Sequence, residues 1–406
     1  MPSTTHSAGK SNRYLLPFIL ITSLFFMWGF ARSILDVLNK HFQQEMDISV
    51  SQSTLIQAAT YIAYALMALP AGIFITRYGY RKGVVFGLIL FGLGSLAFIP
   101  GDILGSFGLF LTALFVIGCG LAVLETAANP YAAELGDPST AASRLNLAQS
   151  FNGLGCILGP VLVGGFLFTG DGNSSIALPY SLMGIVVLAV ALVFTRVSLP
   201  EIKNDAYESE PMTVPEAIKW LWSSPRFMMG VFALFCYEIA EIAINSLFIN
   251  YVTDDGWLDK VQATWVLSFG ALGLFLLARV LGSGIMKVVK AEVVLTVCAV
   301  MTVLGALMVT LNLGIISKIG LFSCYAFEAI MFPTIFAITI TGCGRATKIA
   351  SSFLMMTPLG GAVGTLLMGL VADHTTMSTS FIVPTLAYCA VLVYGFMLMA
   401  GKFSKK

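Results

Sequence analysis

The hydrophobic and polar positions of this chain fall into long blocks. Twelve largely apolar runs, near residues 14–38, 52–76, 83–103, 107–130, 144–168, 177–197, 227–251, 262–286, 291–312, 314–340, 349–372 and 381–401, alternate with short polar stretches. Each run is long enough for an α-helix to cross about 30 Å of hydrocarbon, which takes about 20 residues. The blocks therefore predict an all-α membrane protein with twelve transmembrane helices. Several runs contain proline (Pro70, Pro130, Pro160, Pro333, Pro358), which a membrane helix tolerates where neighbouring helices or waters take up the freed backbone groups. The longest polar stretch, "LPEIKNDAYESEPMTVPEAIKWLWSSPR", divides the chain into two six-helix bundles, 1–198 and 227–406, joined by a cytoplasmic linker at 199–226.

Composition moves this helical reading into lipid. Of 406 residues, 57% are hydrophobic and only 11% charged, against about a quarter charged in soluble proteins. The formal charge of +1 points to no charged partner, and nothing indicates nucleic acid. The distribution of charge is more informative. With both termini cytoplasmic, that side collects Lys10, Arg13, Arg77, Arg81, Lys82, Arg144, Arg196, Lys203, Lys219, Arg226, Arg279, Lys287, Lys290, Arg345, Lys348, Lys402, Lys405 and Lys406. Lys40, Lys260 and Lys318 remain outside and Arg32 in the membrane, which fixes the orientation by the positive-inside rule. The polar N-terminal tail leads straight into the first run with no small-residue cleavage pattern, so an uncleaved first span of an inner-membrane protein is expected.

The seven cysteines lie in apolar runs with no CxxC and no histidine at ligand spacing, so they read as packing residues and no metal site is expected. None of the three histidines, His6, His41 and His374, lies inside a long apolar run, which argues against a histidine proton relay. No nucleophile, cofactor or phosphate-binding motif stands out, so no enzymatic chemistry is expected. The closely spaced glycines of "GLGCILGP" and "GLILFGLG" fit helix packing better.

Carboxylates carry the chemistry. Asp36, Glu125, Glu238, Glu241 and Glu328 fall inside apolar runs, where each charge costs about 2.5–3.5 kcal/mol at a helix centre. Low dielectric disfavours the charged form of a carboxyl group, and a group that gains a proton facing one side and loses it facing the other couples transport to a proton gradient. The acids also repeat. "LETAANP" sets Glu125 five residues before Pro130, "FEAIMFP" sets Glu328 five before Pro333, and each half has acid in its first span. Parallel six-span repeats with a midplane site are the build of secondary transporters. Arg32 and Asp36, one helical turn apart, can face each other, either as a self-satisfying pair that orients the first helix or as a switch opened by substrate or proton. Around the acids stand Trp28, Gln57, Tyr61, Asn129, Gln149, Asn152, Tyr237 and Asn245. Amides and carboxylates suit sugar hydroxyls, and an aromatic face suits the C–H side of a sugar.

These stretches resemble the fucose permease group of the major facilitator superfamily, which includes fucose, glucose/galactose and N-acetylglucosamine permeases. The likeness rests on "FFMWGF" with Asp36 downstream, "LIQAATYIAYALMALPAG", "GLAVLETAANPYAAELG", "RLNLAQSFNGLG" and "MFPTIF". It implies the major facilitator fold, with Asp36 tied to proton coupling and Glu125 binding sugar and sharing the proton. It also implies that Gln149 and Asn152 are fifth-span site amides and Trp28 the first-span aromatic. "GIFITRYGYRKG" is similar to the superfamily's gating motif, in which Arg77, Arg81 and Lys82 would hold the inner gate, although Thr76 stands where an aspartate is usual. Arg32 replaces a residue usually neutral in fucose-type relatives, Glu238 and Glu328 occupy commonly uncharged positions, and Glu241 is similar to an acid of the glucose/galactose branch.

The resulting expectation is a monomeric proton-coupled sugar importer. Its substrate-binding residues are Trp28, Arg32, Gln57, Glu125, Asn129, Gln149, Asn152, Glu241, Asn245 and Glu328. Three alternatives stand beside it: an acidic-sugar importer in which Arg32 grips a carboxylate bidentately, a sodium-coupled symporter, and a sugar sensor. Drug efflux would favour a broader apolar cavity than this set of carboxylates and amides.

Overall fold

The computed structural model describes residues 8–134, 141–169, 175–197, 213–254, 256–286, 288–341, 343 and 346–402. Residues 199–212 of the predicted linker, Lys203 among them, lie outside the described residues, as do Lys287, Arg345, Lys405 and Lys406. Among the described residues the secondary structure is helical and contains no strand. Twelve helices among the described residues are long and apolar enough to cross a membrane: Leu16–Glu45, Val50–Ile75, Tyr80–Ile103, Phe107–Asn129, Leu147–Phe168, Ala177–Arg196, Pro225–Asp254, Lys260–Gly282, Ala291–Thr310, Ile315–Ile340, Ser352–His374 and Met377–Met399. They are called the first to twelfth spans below. The short helix Val214–Trp222 precedes the seventh span, with Ala217 and Leu221 buried and Trp220 and Trp222 exposed.

The chain divides into two compact units that cut across its linear halves. One comprises Met1–Ile34, Leu66–Gly159 and Ser175–Ala206, and the other Leu35–Ala65, Pro160–Ser174 and Tyr207–Lys406. In the first unit the third span packs on the fourth and sixth, and Phe98 stacks on Tyr180 with ring centroids 3.7 Å apart. The first and fifth spans approach so closely that a Cβ on Gly155 would lie 2.3 Å from the Phe26 carbonyl oxygen. That contact explains why a small residue stands there. The sixth span turns Leu182, Ile185, Val186 and Leu192 outward.

In the second unit the seventh span is buried over 61% of its apolar window, against 22% for the eighth. The segment Leu35–Ala65 joins it through polar bonds. Asn39 Nδ2 donates to the Ser246 carbonyl at 2.8 Å, Asn250 Nδ2 to Gln43 Oε1 at 2.7 Å, and Lys40 pairs with Asp254 at 3.0 Å. The Asp373 carboxylate accepts from the Val50 and Ser51 N–H groups at 2.9 and 3.0 Å, at the start of the second span. Those N–H groups have no partner within their own helix, so a carboxylate there satisfies them and suits the helix dipole.

Candidate functional site

The predicted site residues fall into both units. Trp28, Arg32, Glu125, Asn129, Gln149 and Asn152 belong to the first unit. Trp28 is buried against Phe25, ring centroids 4.2 Å apart. Gln149 Nε2 donates to Asn129 Oδ1 at 3.3 Å, tying the fifth span to the fourth. Asn152 Nδ2 donates to the Phe25 carbonyl at 3.1 Å, so this amide holds the backbone of the first span. Glu125 is half-buried one turn before Asn129.

The basic loop residues also lie in the first unit. Arg81 donates through Nε to the Phe194 carbonyl at 3.1 Å and through Nη2 to the Thr195 carbonyl, capping the end of the sixth span. A cation is favourable at that end, where carbonyls lack helical donors. Arg77 and Lys82 lie 5.5 and 5.7 Å from the centre of the Tyr78 ring.

The second unit gathers Asp36, Gln57, Glu238, Glu241, Asn245 and Glu328. Ser246 Oγ donates to Asp36 Oδ1 at 3.4 Å, and its neighbour Asn245 donates to Glu241 Oε1 at 2.9 Å. Gln57 Nε2 donates to the Leu35 carbonyl at 3.2 Å. Glu328, 0% exposed, accepts at Oε2 from the Tyr388 hydroxyl. Electrostatics join these contacts into one cluster: the buried Tyr325 hydroxyl lies in the field of Glu328, Asp36 and Glu241, and Tyr237 in that of Glu241, Glu328 and Glu238.

Three of these predicted residues carry a buried acceptor oxygen with no hydrogen-bond partner among the described residues: Gln57 Oε1, Asn245 Oδ1 and Glu328 Oε1. The Tyr325 hydroxyl is in the same condition. Buried polar atoms are nearly always hydrogen-bonded, so these oxygens are open to donors such as the hydroxyls of a ligand.

Arg279, counted in the sequence with the cytoplasmic bases, lies within the last turn of the eighth span, where its Nε donates to the Ala329 carbonyl at 3.0 Å, beside Glu328 in the chain. Tyr325, Tyr388 and Arg279 are therefore members of the cluster that the sequence reading missed. A tyrosine in an apolar run looks like core, whereas an arginine there is a signal that weighing Arg279 against Glu328 would have caught. Among the described residues, no three His, Cys, Asp or Glu side chains are placed to hold a metal ion.

Among the described residues, twelve helices long and apolar enough to cross a membrane, with carboxylates and amides buried inside several of them, fit a secondary transporter. The model of the Major Facilitator Superfamily matches residues 21–365, and the chain belongs to that family. It is 30% identical over 403 residues to a glucose/galactose transporter of Brucella abortus biovar 1 (strain 9-941), covering 97% of this chain and 96% of that one. It is 31% identical over 413 residues to the L-fucose-proton symporter of Escherichia coli (strain K12), covering 95% and 94%. A crystal structure of the E. coli fucose:proton symporter superposes with a TM-score of 0.71 at 30% identity, over 95% of this chain and 98% of that one.

Proposed function

We propose that this chain is a proton-coupled importer of a neutral monosaccharide, of the fucose, glucose/galactose or N-acetylhexosamine type. The observation that carries the reading is the set of buried acceptors without donors at Gln57, Asn245 and Glu328. Sugar hydroxyls donate to such oxygens, while the carboxylate of an acidic sugar brings further negative charge toward Asp36, Glu238, Glu241 and Glu328. The similarity to a glucose/galactose transporter and to an L-fucose-proton symporter supports the same substrate class and the proton.

On this reading the protein works as a monomer in the inner membrane with both termini cytoplasmic, its halves 1–198 and 227–406 supporting alternating access. Asp36 and Glu125 take up the proton on the periplasmic side; the sugar-binding residues are Trp28, Glu125, Asn129, Gln149 and Asn152 in the first unit and Gln57, Glu241, Asn245 and Glu328 in the second. Arg77, Arg81 and Lys82 serve the cytoplasmic gate. One proton moving down 100 mV supplies about 2.3 kcal/mol, enough for some tens-fold accumulation of sugar.

The test is uptake of labelled L-fucose, D-glucose, D-galactose, N-acetylglucosamine and N-acetylneuraminate into right-side-out vesicles, with and without a protonophore, for the wild type and R32Q. The expected result is protonophore-sensitive uptake of one or more neutral sugars that survives R32Q. Uptake of N-acetylneuraminate alone, lost in R32Q, would replace this reading with the acidic-sugar importer.

A further inference from the structure

The helix Val214–Trp222, between the sixth and seventh spans, has an apolar side that protein covers only in part. It starts at a cap in which the Thr213 N–H and hydroxyl donate to Glu216 Oε2 at 3.2 and 2.8 Å. It stops at Ser223, whose hydroxyl donates back to the Trp220 carbonyl at 2.8 Å. At about 3.6 residues per turn, Ala217, Leu221, Ile218, Trp222 and Pro215 follow one another around one side of the helix, with Lys219 and Glu216 on the other. The helix packs on the seventh span and on the helix Thr347–Leu354, and Ala217 and Leu221 are fully buried. Farther round the same apolar side the cover ends: Ile218 is half-buried, Pro215 is exposed and Trp222 is 62% exposed.

The chain fixes what lies against that uncovered part. Only Ser223 and Ser224 separate the helix from the seventh span, which begins at Pro225. Three Cα steps reach about 11 Å at most, so Trp222 stays within that distance of the start of the span. Met228, on the first turn of the span, is exposed, and Phe232 continues the same exposed apolar face one turn on. A membrane span turns such a face to lipid, so the hydrocarbon begins close to the first turn. The polar headgroup layer above it is about 5–8 Å deep, which sets Val214–Trp222 level with that layer. Glu216 and Lys219 cancel in charge, so the segment offers little to a strongly charged partner.

We propose that Val214–Trp222 is a membrane-interface anchor whose partner is the phospholipid headgroup layer on the linker's side of the bilayer. Trp222 and Pro215 lie against lipid, Ala217 and Leu221 against protein, and Glu216 and Lys219 toward water. Tryptophan suits that level because its broad ring is apolar while its one N–H finds acceptors among headgroup and ester oxygens. Apolar contact and not charge holds the helix, so anionic lipid is not required. Trp220 falls on the opposite flank, beside Glu216, and faces water. Because the turn at Ser223 and Ser224 is short, a helix held at this level fixes the depth at which the seventh span, with Glu241 and Asn245, stands in the membrane. That role holds for any carried solute.

Quenching of tryptophan emission tests this on the full chain in phosphatidylcholine nanodiscs, where both membrane faces meet the water. Wild type minus W222F reports Trp222, wild type minus W220F reports Trp220, and the signals of Trp28, Trp257 and Trp265 cancel in both differences. W222Y and W220Y give the same two differences by a second route. Emission of Trp222 is expected to fall about twofold with bromines placed high on the lipid acyl chains, less with bromines near the chain ends, and little with iodide in the water. Trp220 is expected to respond more to iodide than to bromine. Neither result changes when anionic phosphatidylglycerol is mixed in or salt is raised. Quenching of Trp222 by iodide alone, by neither quencher, or most strongly by the deep bromines would overturn the anchor. Equal bromine quenching of the two rings would overturn the assigned facing, and a bromine effect confined to anionic nanodiscs would overturn apolar contact as its cause.

Discussion

Tyr325 carries a hydroxyl that is buried, without a partner among the described residues, and in the field of three acids. A group of that kind costs folding energy unless a ligand satisfies it. Y325F is therefore expected to melt at or slightly above the wild-type temperature while its KM for sugar rises about tenfold, as when a site loses one hydrogen bond to substrate. Thermal unfolding in detergent and saturation of initial uptake rates check the two halves of this statement. The acids of the cluster were legible in the sequence because a carboxylate in an apolar run is conspicuous at a cost of about 3 kcal/mol. Tyr325 and Tyr388 were not, since the same residue type fills ordinary cores. The Nδ2 of Asn152, an expected site amide, also donates to the Phe25 carbonyl, a contact no sequence pattern announces.

The twelve apolar runs became twelve spans with ends within a few residues of those expected, because hydrocarbon thickness sets their length more firmly than any local propensity. The largest departure is the first span, which was expected to end near 38 and continues to Glu45. Polarity ended the run in the sequence, but Asn39, Lys40 and Gln43 have partners in Ser246, Asp254 and Asn250, so the helix continues past the apolar stretch. The bond from Asp373 to the start of the second span joins residues more than 300 positions apart, and no local pattern announces it. D373A is expected to cost about 1 kcal/mol, the usual loss of a helix-capping acceptor. Amide exchange should quicken at Val50 and Ser51 ahead of the rest of the span, and unchanged exchange there would show that the cap carries no weight. The tenth span breaks between the helices Ile315–Glu328 and Met331–Ile340, and the break was half legible. Pro333, which has no N–H to give the Ala329 carbonyl, marked it, but that Arg279 would fill that carbonyl depended on the packing of another helix.

For the molecule as a whole, the sequence repeat and the compact units answer to different forces. "LETAANP" and "FEAIMFP" mark the halves as copies, and the polar stretch at 199–226 separates them along the chain. Compaction follows contacts, so Leu35–Ala65 and Pro160–Ser174 group with Tyr207–Lys406 through bonds such as Asn39 to Ser246, which no linear reading could assign. The family was legible from its motifs, and the match over residues 21–365 agrees. The sugar was not, because hydroxyl-accepting amides and carboxylates suit many monosaccharides alike. The claim on which the account turns is that sugar and proton move together. The most direct measurement is the external pH of de-energised cells expressing the chain in lightly buffered medium, recorded as the sugar identified by the uptake panel is added. The account predicts an alkaline shift that begins with sugar addition and is abolished by a protonophore. Entry of labelled sugar with no change in external pH would contradict it.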